Sequence, residues 1–213
     1  MLTLYGNKLS GNSYKTQLVC ALLCIEHEWI EVDILAGETR QSDFLKINPL
    51  GQVPVLKIDN ELTNDTHNNP SETSTILLES NAIIRYLAHD SWLIPTDPIA
   101  YAQMWQWLIY EQTEVRFNLA SIRFIKKFQN MIASRMDEYQ QKFAQSQQVL
   151  SHLEAQFSER DFILGKQASL ADIALYAYSH KADEGGIEIT NYPHLITWFK
   201  RIENLPNFIA FKG

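Results

Sequence analysis

The chain predicts an α+β protein in which a first half of order βαβαββα is followed by an all-helical second half. Three observations carry that expectation. Short apolar runs bounded by turn residues fall at Leu2–Tyr5, Trp29–Asp33, Val53–Ile58 and Ile76–Leu78, each of strand length. Between the first two runs, apolar residues recur at helical spacing at Tyr14, Leu18, Ala21, Leu22 and Ile25. Beyond Pro98 every patterned segment is helical.

In chain order, the strand over 2–5 leads into the loop Gly6–Ser13, rich in turn formers and hydroxyls. A helix begins near Gly11 to Ser13 and ends about Glu26. With the second strand this makes a βαβ unit, a parallel pair with a right-handed crossover. Ala36–Asp43 reads as polar loop and Phe44–Ile47 as a short helix. The residues Asn48, Pro49 and Gly51 then hand over to the third strand. Asp59–Thr75 is an insertion dense in Asn, Asp, Ser and Thr, expected to be a solvated hairpin tip. Its Asn64-Asp65-Thr66 matches a glycosylation sequon that carries little meaning without a secretion signal. After the fourth strand, Ser80 is expected to cap a helix that buries Ile83, Tyr86 and Leu87. The first domain is thus 1–89.

Asp90–Pro98, with two prolines and two aspartates in a short run, has linker composition, and 99–213 form the second domain. The spans Ala100–Lys127 and Met131–Ser158 exceed ordinary globular helices and predict long bundle helices or bent ones. Leu170, Ile173, Ala174 and Ala177 share a stripe behind a capping box, Ser169-x-x-Asp172, and Tyr192-Pro193-His194 opens a further helix.

Composition narrows the function. With 18 basic and 25 acidic residues the formal charge is −7, and no run of Lys or Arg could track a phosphate backbone, so nucleic acid is not expected as a partner. No charged segment precedes an apolar one at the start, and Leu18–Ile25, the longest apolar run, is too short to span a bilayer. A cytoplasmic protein without a membrane partner is expected. The two cysteines, Cys20 and Cys24, lie four apart in one helical pattern and read as buried small hydrophobes. No metal site is expected.

Three stretches carry chemistry. Ser10, Asn12 and Ser13 stand where a strand passes into a helix, and the first N–H groups of a helix lack partners and carry partial positive charge. A serine hydroxyl there can donate to a bound thiolate and lower its pKa, or can simply serve as the N-cap. Within Gln52-Val53-Pro54-Val55-Leu56, Pro54 cannot donate to a sheet ladder, so Val53-Pro54 is a candidate cis bond that would expose the Val53 N–H and C=O to an extended peptide. A trans proline opening an edge strand is the other reading. Glu79-Ser80, at a second helix start, can take an ammonium group and a carboxylate, or Glu79 can pair with a buried Lys or Arg. A small peptide with an α-amino acid at one end and a thiol would satisfy all three stretches.

Glutathione fits that description. With S-G-N-S-Y-K, N-P-L-G-Q-V-P-V-L, E-S-N-A-I-I-R-Y-L and S-L-A-D-I-A-L-Y in this order, the whole chain resembles a cytosolic glutathione transferase of bacterial type, with a thioredoxin-like first domain. The resemblance implies a homodimeric enzyme that conjugates glutathione, its co-substrate, to small apolar electrophiles. It implies that Gln52, Val53 and Pro54 contact glutathione, with the Val53 backbone paired to its cysteinyl part. Glu79 and Ser80 would hold the γ-glutamyl end and Arg40 would lie near the glycyl end. Ser10 matches the thiolate-activating serine, with Asn12, Ser13 and Tyr5 as alternatives, and Gln106–Gln112 matches a helix bordering the electrophile pocket. Glutathione-dependent disulfide or peroxide reduction, and a non-enzymatic binding role on the same scaffold, stand as competing readings.

Overall fold

The computed structural model describes residues 1–59 and 74–213. Among them, β1 (Leu2–Gly6), β2 (Glu28–Glu31), β3 (Val55–Asp59) and β4 (Ser74–Leu77) form one sheet in the order β2-β1-β3-β4. β1 pairs parallel with β2 and antiparallel with β3, and β3 pairs antiparallel with β4. The mixed sheet is the expected consequence of a βαβ crossover followed by a hairpin. β3 starts two residues later than the apolar run suggested, because Pro54 has no N–H for the ladder and pairing opens at Val55 opposite Tyr5. The insertion and its sequon fall, apart from the paired residues Asp59, Ser74 and Thr75, outside the described residues.

α1 (Gly11–Leu22) follows β1, α2 (Ser42–Ile47) precedes the turn into β3, and α3 (Ser80–Leu87) follows β4, giving the expected βαβαββα order. α1 stops at Leu22, and Cys24 beyond it adopts φ 53°, the left-handed conformation that commonly closes a helix. Cys24 is therefore exposed, contrary to the expectation for both cysteines, while Cys20 inside the helix is buried. On α3 the buried face is Ile83, Ile84 and Leu87; Tyr86 is 45% exposed, so the apolar stripe lies one residue away from where the sequence placed it.

The described residues form two compact units, Met1–His89 with Ile209–Gly213, and Asp90–Phe208. The last five residues belong with the first unit and not with the helical one. Their anchor is Tyr14, whose hydroxyl donates to the Ile209 carbonyl at 2.7 Å and whose ring lies 4.9 Å from that of Phe211.

In the helical unit α4 (Pro98–Tyr110) is capped by Asp97, which accepts from Ala100 N–H at 2.8 Å, with Pro98 in the first turn where a missing N–H costs nothing. The helical path continues as π-helical turns over Glu111–Ala120, a short α5 (Ser121–Arg123), and π-helical turns again over Phe124–Phe128. α6 (Met136–Phe157), α7 (Leu170–Ser179) and α8 (Pro193–Glu203) complete the unit. Every residue of α7 is buried, so the stripe read from the sequence understates a helix that is enclosed on all sides.

That enclosure makes Asp172 the polar centre of the unit. Its fully buried carboxylate accepts from the Ile163 N–H at 2.8 Å, the Ser169 N–H at 2.9 Å, the Ser169 hydroxyl at 2.8 Å and the Trp198 indole N–H at 3.1 Å. The expected capping box is present and extends to two further segments. Burial pushes the Asp172 carboxyl up to about 6 against these bonds. The folded state therefore retains a proton that the unfolded chain, with a value of 3.8, has already lost, and this group's contribution to stability falls as pH climbs from about 4 to about 6. Asp172→Ala leaves buried donors without an acceptor; urea denaturation should show a loss of about 3–5 kcal/mol and a flatter pH profile in that window.

Candidate functional site

Because β1 and β3, and β3 and β4, run antiparallel, the C-terminal ends of β1 and β4 and the N-terminal end of β3 meet at one end of the sheet. The three stretches singled out above all leave the sheet there. Asn7–Ser13 follows β1, Gln52–Pro54 precedes β3, and Glu79-Ser80 follows β4. The N-termini of α1 and α3 start at the same end, each with partial positive charge on its first N–H groups.

The loop after β1 is built on Asn7, a residue the sequence reading treated only as a turn former. Asn7 is buried; its amide donates to the Val32 carbonyl at 2.9 Å and to Glu31 at 3.1 Å, and its side-chain oxygen accepts from the Leu9 N–H at 2.9 Å. Ser10 is the N-cap of α1, accepting from the Ser13 N–H at 3.3 Å. Capping and donation are compatible, since the cap uses a lone pair and leaves the hydroxyl hydrogen. Among the described residues nothing accepts that hydrogen. Ser13 is different: it is fully buried and its hydroxyl oxygen accepts from the Asn7 N–H at 3.2 Å, which gives it a structural duty inside the loop. Asn12 faces the other helix start, its side-chain oxygen accepting from the Ser80 hydroxyl at 3.3 Å.

The Val53-Pro54 peptide bond is cis. Among the described residues no hydrogen bond is made to the Val53 N–H or C=O. The preceding turn is held by Asn48, nearly fully buried, whose amide donates to the Gln52 carbonyl at 2.8 Å and whose side-chain oxygen accepts from the Leu50 N–H at 3.0 Å. Gln52 itself is exposed. Gly51 sits at φ 62°, where an added Cβ would lie 2.7 Å from the Thr39 carbonyl oxygen and 2.8 Å from the Arg40 guanidinium. Only glycine fits there. Arg40 is exposed and lies across this turn, donating to the Leu50 carbonyl at 3.2 Å.

Ser80 is not the cap of α3. Glu79 holds the N-cap position and Ser80 is the first helical residue, its hydroxyl donating to Asn12 across to the other helix start. Glu79 has φ 67° and ψ 116°, a conformation that costs a non-glycine residue on the order of 1–3 kcal/mol. Its carboxylate is exposed and makes no ion pair among the described residues, which removes the reading of a buried structural pair. The buried cation nearby is Lys15, fully inaccessible, which donates to the Asn81 side chain at 3.4 Å and ties α1 to α3 beside the Asn12–Ser80 bond. Neither Lys15 nor the strain at Glu79 carries a sequence signal: the first looks like an ordinary exposed helix position, and backbone strain has no residue signature in a glutamate.

Tyr5 packs with Val32, Phe44 and Val55 as part of the core. In the helical unit, Gln106, Trp107 and Tyr110 of the Gln106–Gln112 segment line a cavity of ≈540 Å³ with His152 and Arg160, while Leu108 and Glu111 are buried. The rings of Trp107, Tyr110 and His152 stand 5.4–5.7 Å apart. Burial and the neighbouring Glu114 push the Tyr110 phenol up to about 12, so it stays a donor at neutral pH.

The model of the glutathione S-transferase N-terminal domain matches residues 9–90, and that of the glutathione S-transferase C-terminal domain matches 104–206. The chain belongs to the glutathione S-transferase family. A solved glutathione S-transferase from Pseudomonas fluorescens Pf-5 is 36% identical, covers 100% of this chain and 99% of its own, and superposes with a TM-score of 0.90. A glutathione transferase homologue from Sulfitobacter, solved with bound glutathione, is 26% identical with a TM-score of 0.77, covering 97% of this chain and 94% of its own. Among sequence relatives, the glutathione S-transferase GstB of Escherichia coli (strain K12) is 27% identical over 97% of this chain and 95% of its own length. Elongation factor 1-gamma of Prunus avium is 26% identical over 100% of this chain, which spans only 48% of that longer protein. In this transferase-family chain the strain at Glu79 sits at a helix start that a purely structural role would fill with glycine. Glu79→Gly should raise unfolding stability by about 1 kcal/mol in chemical denaturation.

Proposed function

We propose that the chain is a glutathione transferase that joins the glutathione thiolate to small apolar electrophiles. One observation carries the reading most: Ser10 caps α1 through a lone pair while its hydroxyl hydrogen has no acceptor among the described residues. A thiol placed there loses its proton to solvent; the Ser10 hydroxyl then donates to the sulfur, and the α1 N-terminus favours the negative charge. The thiolate attacks the electrophilic carbon, a carbon–sulfur bond forms, and the leaving group departs or the adduct takes up a proton. In this reading the Val53 backbone pairs with the cysteinyl peptide, and Gln52 and Pro54 bound that contact. Ser80 and the α3 N-terminus take the γ-glutamyl carboxylate, Glu79 takes its ammonium group, and Arg40 serves the glycyl end. Asn12 holds the Ser80 hydroxyl in place until the carboxylate arrives. The glutathione bound to the Sulfitobacter homologue supports the ligand. The homodimer and the cytoplasmic location belong to the same proposal. Among the described residues no helix is long and apolar enough to cross a membrane.

A second reading, a binding module on this scaffold, draws on the full-length similarity to part of elongation factor 1-gamma. The two separate in an ultraviolet difference titration of glutathione bound to the protein. Thiolate absorbance emerging at least one pH unit below the free-thiol range near ~8.5 supports the transferase. Absorbance that stays flat up to that range supports the binding module. Ser10→Ala should lower the conjugation rate by on the order of 10²–10³ and cost about 1 kcal/mol of stability as a lost cap, whereas Ser10→Thr, which keeps both the hydroxyl and the cap, should retain most of each. Wild-type conjugation by Ser10→Ala would move the activating role to Asn12 or Ser13.

A further inference from the structure

The start of α1 is held by two segments far apart in sequence. One is its own loop, braced by Asn7. The other is the tail Ile209–Gly213, which packs within the first unit. That tail runs along α1 from its middle towards its start. Ile209 borders a recess with Gln17, Cys20 and Ala21, the half-buried Phe211 lies against Tyr14 one turn into the helix, and Gly213 reaches the loop. A Cβ on Gly213 would stand 2.7 Å from the Leu9 Cα, closer than side-chain carbons approach, so the tail backbone rests directly on that of the residue before Ser10. Tyr14 is the other point of hold. Its side chain is buried, its hydroxyl donates to the Ile209 carbonyl at 2.7 Å, and its N–H donates to the Ser10 carbonyl at 2.9 Å, in the first hydrogen-bonded turn of the helix. Ser10 thus stands between two residues, Leu9 and Tyr14, that the tail touches.

We propose that the tail is a positioning strap for the thiolate site: by pinning Leu9 and Tyr14 it fixes the first turn of α1 and keeps the Ser10 hydroxyl aimed at the sulfur. Phe211 and Tyr14 are the positioning residues, and they act through Ser10. The physical case is one of preorganisation. A donor stabilises an anion most when it is already in place before the charge appears, and a helix terminus left to itself frays. Here the aromatic contact of Phe211 with Tyr14, the Tyr14–Ile209 hydrogen bond and the seating of Gly213 on Leu9 oppose that fraying at the one turn whose cap is the proposed donor. The inference rests on the transferase reading of Ser10 and adds to it residues 195 positions away along the chain, counted from Tyr14 to Ile209. Releasing the strap loosens the donor to sulfur and leaves the Val53 backbone, Glu79 and Ser80 untouched. The effect should therefore fall on ionisation of the bound thiol and spare the hold on the rest of the peptide.

The test compares the wild-type protein with Phe211→Ala, Phe211→Leu and Tyr14→Phe by two readouts. One is the pH dependence of thiolate absorbance for bound glutathione; the other is the Kd of S-methylglutathione, which has no thiol to ionise. In Phe211→Ala the thiolate midpoint should rise by about half a pH unit to one unit, towards the free-thiol value of about 8.5, and conjugation below the wild-type midpoint should slow by the matching factor of roughly three to ten. Phe211→Leu, which still fills the space against Tyr14, should recover most of the shift. Tyr14→Phe, which loses only the hydroxyl to Ile209, should move the midpoint the same way by less. The Kd of S-methylglutathione should be unchanged in all three. A midpoint unmoved in Phe211→Ala would overturn the strap and leave the transferase reading standing. Loss of S-methylglutathione affinity to the same extent would overturn it too, because the tail would then support the whole site and not the donor. A wild-type protein with no thiolate below the free-thiol range would sink the transferase reading, and the strap with it.

Discussion

The antiparallel pairing of β1 with β3, Tyr5 opposite Val55, is the constraint on which the functional end of the first unit depends. A parallel arrangement would send the segment before β3 to the opposite end of the sheet from the loop after β1. With the pairing as it is, and with β4 antiparallel in turn, a helix-capping hydroxyl, an unpaired backbone edge and a second helix start are gathered without any of them being neighbours in sequence. Buried amides then hold the geometry: Asn7 braces the first loop, Asn48 the turn into β3, and Lys15 with Asn81 the two helices. Polar groups of this kind are costly when unsatisfied and directional when satisfied, which is why loops that must present a backbone so often rest on them.

The helical unit is organised by the opposite device, a single buried carboxylate. Asp172 joins the start of α7 to the Phe162–Gly165 turn and to Trp198 of α8, and Trp198 in turn stacks on Phe157 of α6 with ring centroids 4.2 Å apart. One side chain thereby locks three helices and a turn around a helix with no exposed face. The charge is tolerated because four donors surround it, and the raised pKa records what burial still costs.

Ser10 shows how a residue can be both scaffold and chemistry. As an N-cap it accepts; in the proposed reaction it donates; the two duties use different parts of one hydroxyl. Ser13, three residues on, is fully buried and its hydroxyl oxygen accepts from the Asn7 N–H, which gives it a duty inside the loop. The choice between them was open on spacing alone and turns on where α1 begins. Cys24 is a parallel case, since a helical spacing of four suggested a buried face and one left-handed residue past the cap turned the thiol to the surface.

Local pattern determined much of this protein. The strand and helix order, the proline ahead of β3, the capping box at Ser169 and Asp172 and the family motifs were all legible, because each rests on contacts within a few residues or on a residue type with one dominant backbone habit. Tertiary structure decided what depends on partners far along the chain. The Ser80 hydroxyl donated to Asn12 of the other helix start, the last five residues joined the first unit through Tyr14, Lys15 was buried against Asn81, and Glu79 was held in a strained conformation. None of these has a local signature, because the energy that fixes each comes from a group brought alongside only when the sheet and helices have already packed.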